Sequence, residues 1–198
     1  MFANNLQGTD RKKLARFFKA VNEYPSHKLI LTDITFEESS PFDSLLEKQI
    51  TKVPRLICSY HQKSDTSYNK PIFDVPIGLS DYSNDGDFLK YKFIRNKTIK
   101  TTPVVMFESI TGKTLRPSSF FFNYDNSYFL NNCILDLRIR DYHLKQNSVV
   151  SDSLEFHAKY IQLGDLLMMT EYLGNQFIGN EIKNRIVVLG DFEDRDLH

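Results

Sequence analysis

Ile186-Val187-Val188-Leu189-Gly190-Asp191 is the stretch on which the fold turns. Four β-branched and aliphatic residues in succession, stopped by Gly and followed by an acidic tip, read as a parallel-sheet strand buried on both faces. A second run has the same form: Leu29-Ile30-Leu31 gives way to Thr32-Asp33. In open α/β sheets the crevice outside the carboxyl ends of the strands is where ligands bind. Two strands that end in Asp would therefore place Asp33 and Asp191 at one rim, if they run side by side in the same direction.

The segments around these runs supply the helices of such a fold. Thr9 and Asp10 can cap a helix in which Leu14, Phe17, Phe18 and Val21 recur at steps of three and four, ahead of Pro25. Ser40-Pro41, with Asp43 in the first turn, opens a second helix with Leu45, Leu46 and Ile50 as its inward stripe, and Pro54 ends it. Arg55 to Tyr60 is the next strand. The order helix, strand, helix, strand is that of right-handed parallel crossovers.

Beyond Tyr60 the parallel pattern weakens. Gln62 to Lys70 is polar and reads as a surface loop. Asp81 to Asp87 is a turn cluster centred on Asp85-Gly86, with a strand over Phe88 to Ile94. Phe120 to Tyr124 and Tyr128 to Leu130 flank Asp125-Asn126 as a hairpin, and Leu135, Leu137 and Ile139 alternate with Asp136, Arg138 and Arg140 as a strand with one wet face. Leu144 to Glu155 is polar and reads as mobile. Asp165 can cap a short helix through Leu166, Leu167 and Met168 that stops at Gly174-Asn175. The fold expected is α/β: a mainly parallel, mixed sheet flanked by helices, with an antiparallel hairpin portion, forming one domain over residues 1–198.

Composition excludes several functions. Lys and Arg total 25, as do Asp and Glu, so there is no basic field to hold nucleic acid. No segment approaches a membrane span and no signal-peptide core opens the chain. Sixteen Phe and ten Tyr without Trp read as packing volume. Cys58 and Cys133 lie singly in apolar runs, without metal or redox spacing, and read as small buried hydrophobes. Gly112-Lys113-Thr114 lacks the earlier glycine of a phosphate-binding loop, since Phe107 stands there, and the calcium-loop start at Asp81, Ser83, Asp85 and Gly86 meets Lys92 where a bidentate Glu is required. No nucleophile elbow or zinc-protease motif is present, so neither a cofactor nor a metal is expected. The tail Asp191 to His198 combines carboxylates with an imidazole that could bind a cation, a hydroxylated ligand or a proton; the plainer reading is a solvated charge run.

The order of these segments resembles the second type of CHASE domain, the cyclase and histidine kinase associated sensory extracellular family. The residues that carry the resemblance are Asp10-Arg11 with the helix that follows, Leu29 to Phe36, Asp43 to Ile50, Asn84-Asp85-Gly86-Asp87, Lys183 to Gly190, and Asp196-Leu197-His198. The resemblance implies an extracytoplasmic sensory module, anchored through membrane helices outside this chain and relaying a small-molecule or protein stimulus to an output domain. It implies no catalytic residues. The chain departs from the family layout in carrying no membrane helix at either end, leaving at most Met1 to Leu6 for the first strand, and it reads as a module trimmed at both ends. The ligand contacts expected are Asp33, Asp191, Asp196 and His198, and a homodimer is one assembly to expect. There are two rival readings: a metal-dependent hydrolase using the same acidic strand ends, and a protein-interaction domain presenting the wet face of the strand from Leu135 to Arg140.

Overall fold

A computed structural model describes residues 10–34, 36, 39–64, 67–81, 83–85, 88–95, 98–118, 121–135, 149–151, 154–156 and 161–190. The first helix, α1 (Arg11–Glu23), begins where the Asp10 carboxylate accepts a hydrogen bond from the Lys13 amide at 3.0 Å, which satisfies one of the donors a helix start leaves unpaired. Its stripe of Leu14, Phe17, Phe18 and Val21 is buried as the spacing predicts. Strand β1 (Leu29–Asp33) follows, then α2 (Asp43–Ile50) and β2 (Leu56–Ser64). Leu46 and Ile50 of α2 are buried, but Leu45 is exposed. At about 100° per residue, one step along the helix is enough to turn Leu45 off the inward face.

The polar stretch after Tyr60 corrects the expectation of a surface loop. Strand β2 continues to Ser64, turns back as β3 (Ser67–Asn69) in an antiparallel pair, and takes on a further parallel neighbour, β4 (Ile77–Leu79). The closing strand, β15 (Ile186–Gly190), pairs in parallel with β1, which pairs in parallel with β2. The sheet path is β15-β1-β2-β3, with β4 also on β2, so the α/β class and the mixed, mainly parallel sheet are as the sequence leads one to expect.

Between β4 and β15 the chain builds smaller antiparallel units. Strands β5 (Ser83–Asp85) and β6 (Phe88–Lys92) pair antiparallel, with the strand from Phe88 as expected, while Ser83–Asp85, expected within the turn cluster, is itself a strand and Gly86-Asp87 lie outside the described residues. The pair β7 (Ile94–Arg95) and β8 (Ile99–Lys100) leads into helix α3 (Thr102–Thr111), which ends on Gly112 at φ +70°, a left-handed conformation that suits glycine. Gly112-Lys113-Thr114 is thus a helix end. The strands β9 (Arg116–Pro117), β10 (Phe122–Tyr124) and β11 (Ser127–Phe129) form a meander whose tight turn is Asp125-Asn126, as expected. Strand β12 (Asn132–Leu135) adds to β6; the continuation of its predicted alternation through 136–140 lies outside the described residues. The segment expected to be mobile contains an antiparallel pair, β13 (Val149–Ser151) and β14 (Leu154–Phe156).

Helix α4 (Leu163–Leu173) starts two residues before Asp165, which sits in its first turn and favours the positive end of the helix dipole without capping it. After Gly174 comes the short α5 (Gln176–Glu181). One face of the sheet, carrying Ile30, Leu56 and Cys58 with Val187 and Leu189, packs with α1, α2, α4 and α5 into the main core. Each large aliphatic or aromatic residue fully buried there contributes roughly 1.5–3 kcal/mol of transfer free energy. Helix α3 packs on the opposite face, where Gly78 of β4 meets Thr102 so closely that a Cβ would stand 2.6 Å from the Thr102 Cα. A smaller cluster of Ile94, Val104 and Leu115 lies between α3 and the β7–β11 region.

The expected burial of the closing strand on both faces is corrected. Strand β15 is an end member of the sheet path, and Ile186 and Val188 are 48 % and 43 % exposed while Val187 and Leu189 pack on the core. Period-two alternation sends the first pair to the opposite face, the one on which α3 packs against β4, β1 and β2. Cys58 is a buried free thiol whose pKa burial pushes up to about 11, which leaves it inert as a nucleophile.

Candidate functional site

Parallel pairing with unbroken register runs from Leu29 opposite Ile186 to Asp33 opposite Gly190. The two acid-tipped strands are therefore neighbours that end at the same rim. Asp33 stands on that rim. Asp191, Asp196 and His198 lie outside the described residues, so of the four expected contacts the structure positions Asp33 alone.

The structure brings to Asp33 two side chains that the sequence reading passed over, Ser59 and His61, and sets against His61 a third, Asp81, weighed there only as the start of a turn and calcium loop. On β2, Ser59 and His61 are two residues apart and so share a face, the face that also carries Asp33 in the neighbouring strand. His61 Nε2 lies 3.5 Å from Asp33 Oδ1, and His61 Nδ1 lies 3.5 Å from Oδ1 of Asp81, which immediately follows β4 and Ser80. Both separations are longer than a well-formed hydrogen bond, and with Asp33 and His61 side chains 46 % and 42 % exposed they belong to a solvated rim. Asp81 is more enclosed and is fixed from its other oxygen, where Oδ2 accepts the Gln62 amide at 2.9 Å. The Gln62 side-chain oxygen in turn accepts from Arg95 of β7 at 2.8 Å.

The electrostatics follow from this bracketing. The contact with His61 holds the Asp33 carboxyl below the usual carboxylate range, against the opposing effect of burial. The same contact raises the His61 imidazole above its ordinary value, with the Asp33 and Asp81 charges adding to it and burial opposing. Ser59, 2 % exposed, faces Asp33 and helps slightly to hold its carboxyl down, yet its buried hydroxyl makes no hydrogen bond of normal geometry.

This arrangement limits the chemistry. The two carboxylates engage different nitrogens of one ring and so lie on different sides of it, which does not make a shared coordination shell. Among the described residues no group of three or more His, Cys, Asp or Glu is placed to hold a metal ion. A Ser beside a His and an Asp would suggest a hydrolytic triad, but the Ser59 oxygen is sealed from solvent and is not bonded to His61, so it is not presented as a nucleophile. What the cluster can do is bind a proton and change partners. Such a role could have been suspected from Cys58-Ser59-Tyr60-His61, an apolar run with a polar tip like the one at Asp33.

Among the described residues no helix is long and apolar enough to cross a membrane. Comparison of the chain with models of known protein families, with curated proteins and with solved structures finds no match.

Proposed function

We propose that this chain is a sensory module of the second CHASE type, extracytoplasmic in its full-length protein, without catalysis of its own. Its stimulus acts at the rim where β15, β1 and β2 end. The observation that carries the reading is the ionic cluster of Asp33, His61 and Asp81 over the buried Ser59 hydroxyl, at the carboxyl ends of parallel strands. Such a half-exposed cluster adds little to stability, typically below about 1 kcal/mol for a surface pair. Its groups are thus available to a ligand at small structural cost. The element order from α1 to β2 and the closing parallel strand fit the resemblance seen in the sequence. The mechanism is a population shift, in which a ligand that binds one arrangement of the rim better biases the helices packed behind it.

The test is thermal unfolding of the chain, wild type and Asp33→Ala, with amino acids, amines, polyols and divalent cations. A ligand at a hundred times its Kd stabilises by about 2.7 kcal/mol, and about 2–4 °C accompanies each kcal/mol in a chain of this size. At least one of the organic classes is expected to raise the wild-type Tm by several degrees and to leave the variant unmoved, with both chains equally stable when unliganded. No shift with any compound, or the same shift in both chains, overturns the reading. Stabilisation by divalent cations alone would favour the metal-dependent hydrolase.

A further inference from the structure

We propose that the proton on His61 gates this rim: while the imidazole is charged it holds Asp33, and when it is neutral Asp33 is released to solvent and to the stimulus. The inference rests on the reading of the rim as the stimulus site and adds the group that controls access to it.

The argument is one of donor count. A charged imidazole has two N–H donors, and His61 presents one nitrogen to Asp33 and the other to Asp81. A neutral imidazole has one donor and one lone pair. Loss of the proton to solvent therefore turns a lone pair toward one of the two carboxylates, and that contact must open. The surroundings decide which. Asp81 is the less exposed of the two and keeps the Gln62 amide through its other oxygen. Asp33 ends an edge-proximal strand, is the more exposed, and among the described residues has beyond His61 only the Ser59 hydroxyl, which makes no well-formed bond to it. The neutral ring thus stays with Asp81 and Asp33 swings free.

Other polar and charged groups stand on the neighbouring elements among the described residues. On β2, Lys63 lies beyond His61, where the pairing with β3 shifts register; on β3, Asn69 is the residue opposite His61, beside Tyr68, which stacks edge-on to Tyr60 at 5.8 Å. From β7, Arg95 is bound to Gln62. Among the described residues the charges that act on the His61 ring are those of Asp33 and Asp81, and both favour its charged form. The clasp joins three segments, the end of β1, His61 of β2 and Asp81 after β4, so opening its Asp33 side leaves the end of β1 held to β2 by the sheet pairing and frees the carboxylate alone.

Nuclear magnetic resonance of the full chain, labelled with carbon-13, tests this through the His61 Cε1 and Asp33 Cγ signals between about pH 5 and about pH 9. His61 is expected to titrate above an ordinary histidine, and Asp33 Cγ to show an inflection at that same midpoint, far above its own protonation. His61→Gln is expected to abolish the Asp33 inflection, and Asp81→Asn, which retains an acceptor for the Gln62 amide, to lower the His61 midpoint. An ordinary or lowered His61 midpoint, or an Asp33 signal that is flat through it, overturns the gate, and the wild-type chain alone suffices to show either. The thermal-shift test can fail while these inflections are present, and can succeed while they are absent, so each reading falls on its own result.

Discussion

His27 shows how a single buried side chain can set a pH limit on the whole fold. It is 2 % exposed, with Nε2 2.8 Å from the Pro54 carbonyl oxygen and Nδ1 buried without a partner. A carbonyl only accepts, so Nε2 carries the hydrogen and donates, which assigns the neutral tautomer. Protonation would add a buried N–H with no acceptor. Burial accordingly lowers the His27 pKa, opposed by its bond to Pro54. In the unfolded chain the ring takes up a proton near pH 6.5, before it does so in the fold. The stabilising contribution is thus fully present above about pH 6.5 and is lost as the pH falls. Urea unfolding at pH 7 and pH 5 is expected to show a smaller midpoint loss on acidification for His27→Gln, whose amide can still donate to Pro54, than for the wild type. An equal loss in both would dismiss the argument. Sequence alone offers His27 as an unremarkable polar residue after Pro25-Ser26, because nothing in a run of letters tells whether a ring nitrogen will find a partner. Asp33 was legible, since a short aliphatic run ending in an acid has one physical explanation. His61 was not, because the polar residues that follow it hid the fact that its strand continues.

At the scale of elements, the seat of α3 is fixed by one glycine. A Cβ at Gly78 would meet the Thr102 Cα at 2.6 Å and the Thr102 amide nitrogen at 3.0 Å, backbone atoms that cannot turn aside as a long side chain would. Gly78→Ala must therefore push the start of α3 off the sheet, at a cost of about 1–3 kcal/mol, the range for overpacking. Gly164 in α4 is the natural control, because a Cβ there meets nothing within 4 Å. Gly164→Ala is expected to stabilise by roughly 0.5–1 kcal/mol through lower helix entropy loss. Chemical denaturation of both variants checks the pair, and a stabilising Gly78→Ala would mean that α3 is loosely seated. Helices with an obvious apolar stripe, such as α1, were legible in the sequence. The faces of strands were less so: in β15 four aliphatic residues in a row say strand but do not say which face is covered, and Ile186 and Val188 proved exposed. The polar Gln62 to Lys70 concealed β3 because an antiparallel return strand on a solvated edge needs little apolar character.

Across the whole molecule, the two apolar clusters raise the question of whether the chain unfolds as one unit. The main cluster contains Ile30 and the smaller one Ile94, Val104 and Leu115, with no buried residue in common among the described residues. Helix α3 joins them, since Val104 belongs to the smaller cluster while Thr102, two residues earlier, is pressed on Gly78 of the main sheet and bonds Ser80 through its hydroxyl at 2.9 Å. The smaller cluster is too slight to offset the ordering entropy of its own strands, at about 1–2 kcal/mol per residue for the backbone alone. It therefore depends on the sheet and must unfold with it. Ile30→Ala is expected to lose about 2–5 kcal/mol, as for other fully buried aliphatic residues, whereas Ile186→Ala on the open side of β15 should lose less than about 1 kcal/mol. Ile94→Ala should shift the same transition as Ile30→Ala, with an unchanged slope in urea. A second transition at lower urea in Ile94→Ala, seen by fluorescence of tyrosines such as Tyr124 beside the small cluster, would show that α3 does not couple the two and that the chain comprises separate cooperative units.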